Sequence, residues 1–130
     1  MDPETLLARA RETLDAAYVP YSEYPVGAAL ETVDGTVYVG CNIENANYSN
    51  ALHAEEVAVA EAVKQGHTEF AGLAVVSARE DGVTPCGMCR QTLAEFASES
   101  LPVYCGEGEG YTEYALGDLI PNTIHRDMLE

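Results

Sequence analysis

The 130-residue sequence predicts a three-layer α/β/α domain, with one mixed sheet of about five strands covered by helices on both faces. Three observations carry this. Val33-Asp34-Gly35 lies between two β-rich segments and signals a hairpin turn. Ala71 to Ala78 is apolar without alternation, as a strand buried on both faces requires. Helical and strand segments then alternate, which places helices on both sides of the sheet. The length suits a single domain, residues 1–130, with no repeat or linker.

After Pro3, the stretch Glu4 to Tyr18 sets Leu6, Leu7, Ala10, Leu14 and Ala17 on one stripe, opposite Arg9, Arg11, Glu12 and Asp15. That spacing predicts an amphipathic first helix. Val19 to Pro25 holds two prolines and is expected as an ordered loop. Val26 to Thr32 and Thr36 to Asn42 are the hairpin strands. Glu44 to Leu52 is polar and turn-rich, and His53 to Gln65 reads as a helix closed by Gly66, with His53 near its start. Beyond the buried strand, Thr84-Pro85 leads into a helix from about Gly87 to Ala97, with Cys86 and Cys89 at its beginning. Leu101 to Cys105 is another buried strand, and Tyr111 to Ala115 a last short one before Asp118 to Ile120.

Composition narrows the partners. A formal charge of −16 with six Lys and Arg repels phosphate backbones, so the expected partner is a neutral small molecule and not a nucleic acid. The chain is 47% hydrophobic but has no long apolar run for a spanning helix, and Met1-Asp2-Pro3-Glu4 lacks the segments of a signal peptide. The expectation is a cytoplasmic protein without a membrane partner. An acidic, lysine-poor surface also suits very high salt, so a halophilic origin fits. In such a compartment Cys41, Cys86, Cys89 and Cys105 are read as thiols or metal ligands and not as disulfides.

Cys86-Gly87-Met88-Cys89 at a helix start puts two thiols on one face, where free N–H groups and the positive end of the helix dipole favour thiolates. Alone, this C-x-x-C fits a redox pair, half of a structural zinc site or a catalytic zinc site. Cys41 and Cys105 lie in apolar strand segments and read as small buried hydrophobes, which argues against a closed four-cysteine site. His53 supplies a third ligand, and one imidazole with two thiolates leaves a position open, the catalytic arrangement. Glu55 follows two residues later and can face the same metal if His53 is at the entry turn of its helix. His53-Ala54-Glu55 with Pro85-Cys86-Gly87-Met88-Cys89 matches the H-x-E…P-C-x-x-C signature of zinc nucleobase deaminases.

The sequence also resembles the small, homotetrameric cytidine deaminases across most of its length. Ala17 to Ser22, Val26 to Leu30, Gly40-Cys41-Asn42-Ile43-Glu44-Asn45-Ala46 and Cys86 to Gln91 look like successive blocks of that family. The resemblance implies one zinc per subunit on His53, Cys86 and Cys89, with Glu55 as the proton shuttle in a homotetramer with shared active sites. It implies further that Asn42 and Glu44 hydrogen-bond the ribose, that the Ala54 N–H meets the base O2, and that Thr84 or its neighbours accept from the amino group. Tyr24 stands where the family usually has a Phe on the pyrimidine, and Tyr48 belongs near a neighbouring subunit's site. Two departures stand out. Ile124 occupies the position of a cross-subunit stacking Phe, and His53-Ala54-Glu55-Glu56 replaces the common Cys-Ala-Glu-Arg. A neutral His removes one negative charge from the shell, which makes loss of the Arg tolerable.

The implied reaction is hydrolytic deamination of free cytidine and deoxycytidine to the uridines, with release of ammonia, as in pyrimidine salvage. Two rivals stay open: a deaminase for another cytosine-containing nucleoside, such as an antibiotic, and a non-catalytic structural zinc domain. The second would need a fourth protein ligand and no Glu55.

Overall fold

The computed structural model describes residues 1–129. Its sheet holds five strands, β1 (Val26–Thr32), β2 (Val37–Cys41), β3 (Phe70–Ser77), β4 (Pro102–Glu107) and β5 (Gly110–Ala115), in the spatial order β2-β1-β3-β4-β5. Only the β3–β4 pair is parallel, so the sheet is mixed as expected.

Alternation along the strands sends side chains to two cores. Ala28, Leu30, Leu73, Val75 and Val103 face α2 (Ala54–Lys64) and α3 (Gly87–Phe96), whereas Ala29, Ala74 and Val76 pack on Leu6, Leu7 and Ala10 of α1 (Pro3–Glu12). A short α4 (Leu116–Leu119) follows β5 and adds Leu116 to the first core. The three layers are therefore α1, the sheet, and the α2/α3 layer.

Two glycines set how closely helices approach. A Cβ on Gly27 would strike the Ala10 carbonyl at the end of α1, and one on Gly40 would meet the Ala54 carbonyl and lie 2.7 Å from the Ala58 nitrogen. The start of α2 thus rests directly on β2.

Two expectations need correction. The first helix ends at Glu12 and not near Tyr18. At Thr13 the hydroxyl lies 2.8 Å from the Ala10 carbonyl and 3.0 Å from the Gly40 carbonyl, drawing the chain to the sheet, and only a single 3-10 turn, Leu14–Ala16, follows. Cys105 is fully buried as expected, but Cys41 is only partly so, because it ends the edge strand β2. Among the described residues no helix is long and apolar enough to cross a membrane.

Candidate metal and active site

The site lies off the carboxyl ends of β2, β3 and β4, the usual ligand-binding end of an α/β sheet. Its geometry starts with a small backbone ladder. Ile43 exchanges two hydrogen bonds with Leu52, at 3.0 and 2.8 Å, and the Glu44 N–H donates to the Tyr18 carbonyl at 2.8 Å. Pairing at Leu52 fixes the extended residue that follows, so His53 enters as the N-cap of α2 with φ −91° and ψ 150°. The His53 N–H donates to Glu56 Oε1 at 2.7 Å, the reach-back half of a capping box. Glu56, the departure that looked like a charge adjustment of the metal shell, thus has a structural task at the helix start.

Cys86 is likewise the N-cap of α3, with Cys89 one turn on. His53 Nδ1 lies 3.0 Å from Cys86 Sγ and 3.4 Å from Cys89 Sγ, and all three donor atoms fall within 4.8 Å of one another. Neighbouring ligands around tetrahedral zinc stand roughly 3.5 Å apart, so the triangle has the size that metal needs. Among the described residues neither Cys41 nor Cys105 joins this group. Both helices point their N-termini at it, so two dipoles and several free N–H groups favour negative ligands there.

Val26, Asn42, His53, Ala54, Glu55, Val83, Thr84 and Cys86 line a cleft of about 230 Å³ beside the donor triangle. Glu55 is 5% exposed, and burial pushes its carboxyl above the usual range, opposed by its own N–H and by His53. Burial and the nearby Glu55 charge hold the Cys89 thiol far above its ordinary value. Burial likewise raises Cys105, to about 11. A divalent cation in the triangle would turn the Cys89 preference around, since a coordinating thiol is deprotonated outright.

Asn42 and Glu44 both turn to the Pro20–Pro25 loop. The Asn42 amide accepts from the Val26 N–H at 2.9 Å and donates to the Tyr24 carbonyl at 2.8 Å, at the edge of the cleft. Glu44 accepts the N–H groups of Tyr21 and Ser22 at 3.0 and 3.1 Å and the Ser22 hydroxyl, which lowers its pKa. It lines an adjacent cavity with Tyr21, Asn45 and Tyr48. Tyr48 is 74% exposed and stands edge-on to Tyr21 at 5.8 Å, outside the metal cleft. Ile124 is exposed too, its carbonyl held by Gln91 at 3.0 Å.

Residues 1–105 match the family described as the cytidine and deoxycytidylate deaminase zinc-binding region. The chain belongs to that family. It is 46% identical to a cytidine deaminase of Sporosarcina psychrophila, over 99% of this chain and 96% of the relative, and 40% identical to one of Halalkalibacterium halodurans, over 95% of each. A crystal structure of the Burkholderia pseudomallei cytidine deaminase superposes with a TM-score of 0.90 at 37% identity, covering 95% of this chain and all of that one.

The Tyr24 hydroxyl has a partner in the loop after β3. It donates to Glu80 Oε2 at 2.9 Å, and the Arg79 guanidinium stands 5.9 Å from the ring centre. Neither Arg79 nor Glu80 carries a sequence signal, because both sit in an irregular stretch after β3. Arg90, which follows Cys89 directly, carries no sequence signal of its own task either.

Proposed function

We propose that the chain is a zinc-dependent deaminase of free cytidine and 2'-deoxycytidine. The observation that carries this reading is a buried carboxylate, Glu55, beside an open triangle of one imidazole and two thiols at the head of a cleft. A structural zinc domain would close the triangle with a fourth ligand and would have no use for Glu55.

The donor set fits zinc: a borderline nitrogen with two sulfurs, and a buried thiol that needs a cation to ionise. Zinc, when bound by His53, Cys86 and Cys89, supplies Lewis acidity at a fourth, non-protein position. Glu55 takes a proton from the attacking water and delivers it to N3 of the cytosine ring as C4 is attacked. It then passes the second proton to the departing amine, so that cytidine and water become uridine and ammonia. The raised pKa of Glu55 suits both halves of this task, since a shuttle must give its proton back.

Ala54 presents the N–H at the first position of α2 to the base O2, and Thr84 faces the amino group. Asn42 and Glu44 keep acceptor capacity beyond their bonds to the loop, which leaves both able to receive ribose hydroxyls. Tyr24 supplies the ring at the pyrimidine position.

The exposed apolar side chains Tyr18, Tyr21, Ile43, Tyr48 and Leu52 gather on the face around the Ile43 ladder and suit burial between copies in a homotetramer. Tyr48 would reach a neighbouring site from there, and Ile124, held beside α3 by Gln91, stands at the position of the family's cross-subunit Phe. A cytoplasmic, pyrimidine-salvage role follows from the same reading. The test is an ultraviolet assay with cytidine, deoxycytidine and cytosine, together with metal analysis. Turnover of both nucleosides but not of the free base, with about one zinc per subunit, is expected. A zinc-loaded protein inert on all three overturns the reading.

A further inference from the structure

Arg90 takes no part in the chemistry above, yet it is the most heavily bonded side chain near the metal triangle. Its Nε donates to the Pro85 carbonyl at 2.7 Å, one terminal nitrogen, Nη2, to Thr84 Oγ1 at 3.0 Å, and the other, Nη1, to the Leu119 carbonyl at 2.6 Å. Its backbone N–H donates to the Cys86 carbonyl at 3.0 Å. One residue therefore grips Thr84, Pro85 and Cys86 in succession, and ties them to the end of α4.

All these acceptors are neutral. In a chain with 22 carboxylates, a half-buried guanidinium that spends its fork on carbonyls and a hydroxyl is serving geometry and not charge pairing. The segment it holds needs such help. Residues 78–86, between β3 and α3, form no helix or strand, so no ladder fixes them. The first half is tied to β4 and the turn after it by the Gly82 N–H to the Gly106 carbonyl at 2.8 Å and by Asp81 to the Gly108 N–H at 2.9 Å. The second half carries Cys86, an exposed ligand at the rim; Val83 packs on the core and Pro85 is buried, and the side-chain hydrogen bonds to Thr84 and Pro85 come from Arg90.

We propose that Arg90 is a positioning residue that locks Thr84-Pro85-Cys86, keeping the Cys86 sulfur in register with His53 and Cys89. The proposal rests on the metal reading given above. Lysine cannot replace it, because a single ammonium on a flexible stem does not bridge three acceptors in fixed directions.

The test follows zinc transfer from the loaded protein to an excess of a chromophoric chelator, with kcat and KM for cytidine measured alongside. Arg90→Lys should release zinc about 10–100-fold faster than the unaltered protein, the range found when groups supporting metal ligands are removed. Thr84→Val, which removes one of the three side-chain bonds, should fall between the two and carries the test alone if Arg90→Lys does not fold. Leu6→Ala, in the core on the opposite face of the sheet, lowers stability generally and should release zinc at the unaltered rate. Unaltered release from both site variants overturns the proposal, as does release from Leu6→Ala that matches Arg90→Lys at equal loss of melting temperature. An unaltered protein that retains no zinc overturns the metal reading and this proposal with it. Tight zinc in every variant overturns this proposal alone.

Discussion

Glu55 shows how one side chain carries opposing demands. Its burial raises its pKa, so the metal-free fold favours the protonated form while the unfolded chain ionises at the ordinary value. The sign follows from this: the contribution of Glu55 to stability is fully present below the ordinary carboxylate value and is lost as pH rises from there through the raised value of the folded state. Glu55→Gln should therefore leave the metal-free protein melting higher than the unaltered chain at pH 7, with the difference vanishing in acid. The same variant should lower kcat by roughly 10²–10⁴-fold, the usual worth of a general acid–base group. Melting curves of the metal-free forms and the cytidine assay read the two effects separately. A variant that is less stable at pH 7 would contradict the burial argument, and one with near-normal turnover would sink the proton-shuttle role.

At the scale of elements, the site depends on where α2 begins. That start is set from two sides: the Ile43–Leu52 pairing aims the chain at His53, and Gly40 lets the first turn of α2 lie against β2. Gly40→Ala forces a methyl group against the Ala54 carbonyl and the Ala58 nitrogen, both backbone atoms that cannot rotate away. The expected loss is about 1–3 kcal/mol of stability, the range for overpacking. Because the displaced turn carries Ala54 and Glu55, kcat should fall in the folded fraction as well. Denaturant unfolding and a turnover assay below the transition measure both. Unchanged stability would show that the sheet shifts to absorb the methyl.

The helix starts near His53 and Cys86, the hairpin and the buried strand were legible because local signals mark them: a helical stretch closed by Gly66, the Thr84-Pro85 pair, a turn dipeptide and burial on both faces. The end of α1 was not, since Thr13 leaves the helix for a carbonyl 27 residues away. The metal triangle was legible for a different reason, its donor types and spacing being nearly unique to one chemistry. The tasks of Asn42, Glu44 and Arg90 as backbone clamps were hidden, because each has a partner that only the folded chain brings near, whereas Glu56 reaches the His53 N–H three residues back, a local spacing that could have been read as a capping box.

For the whole molecule the decisive quantity is charge. Six Lys and Arg cannot offset 22 carboxylates, and the ion pairs present, such as Lys64–Glu61 and Arg9–Glu12, are exposed pairs of little worth. The remaining −16 repels itself across a small body, and more so if copies assemble through the apolar face around Ile43. Salt shortens the reach of that repulsion from about 10 Å at 0.1 M to about 3 Å at 1 M. The melting temperature should therefore climb over this range of KCl. Salting-out of apolar surface would also raise it, so the discriminating variant is Glu109→Lys with Glu113→Lys, two exposed changes worth two charge units each that bring the net charge from −16 to −12. This variant should be more stable than the unaltered chain at 0.1 M KCl and gain less on going to 1 M. Identical salt curves for the two proteins would assign the effect to the apolar surface and remove charge repulsion as the reason for any need of salt.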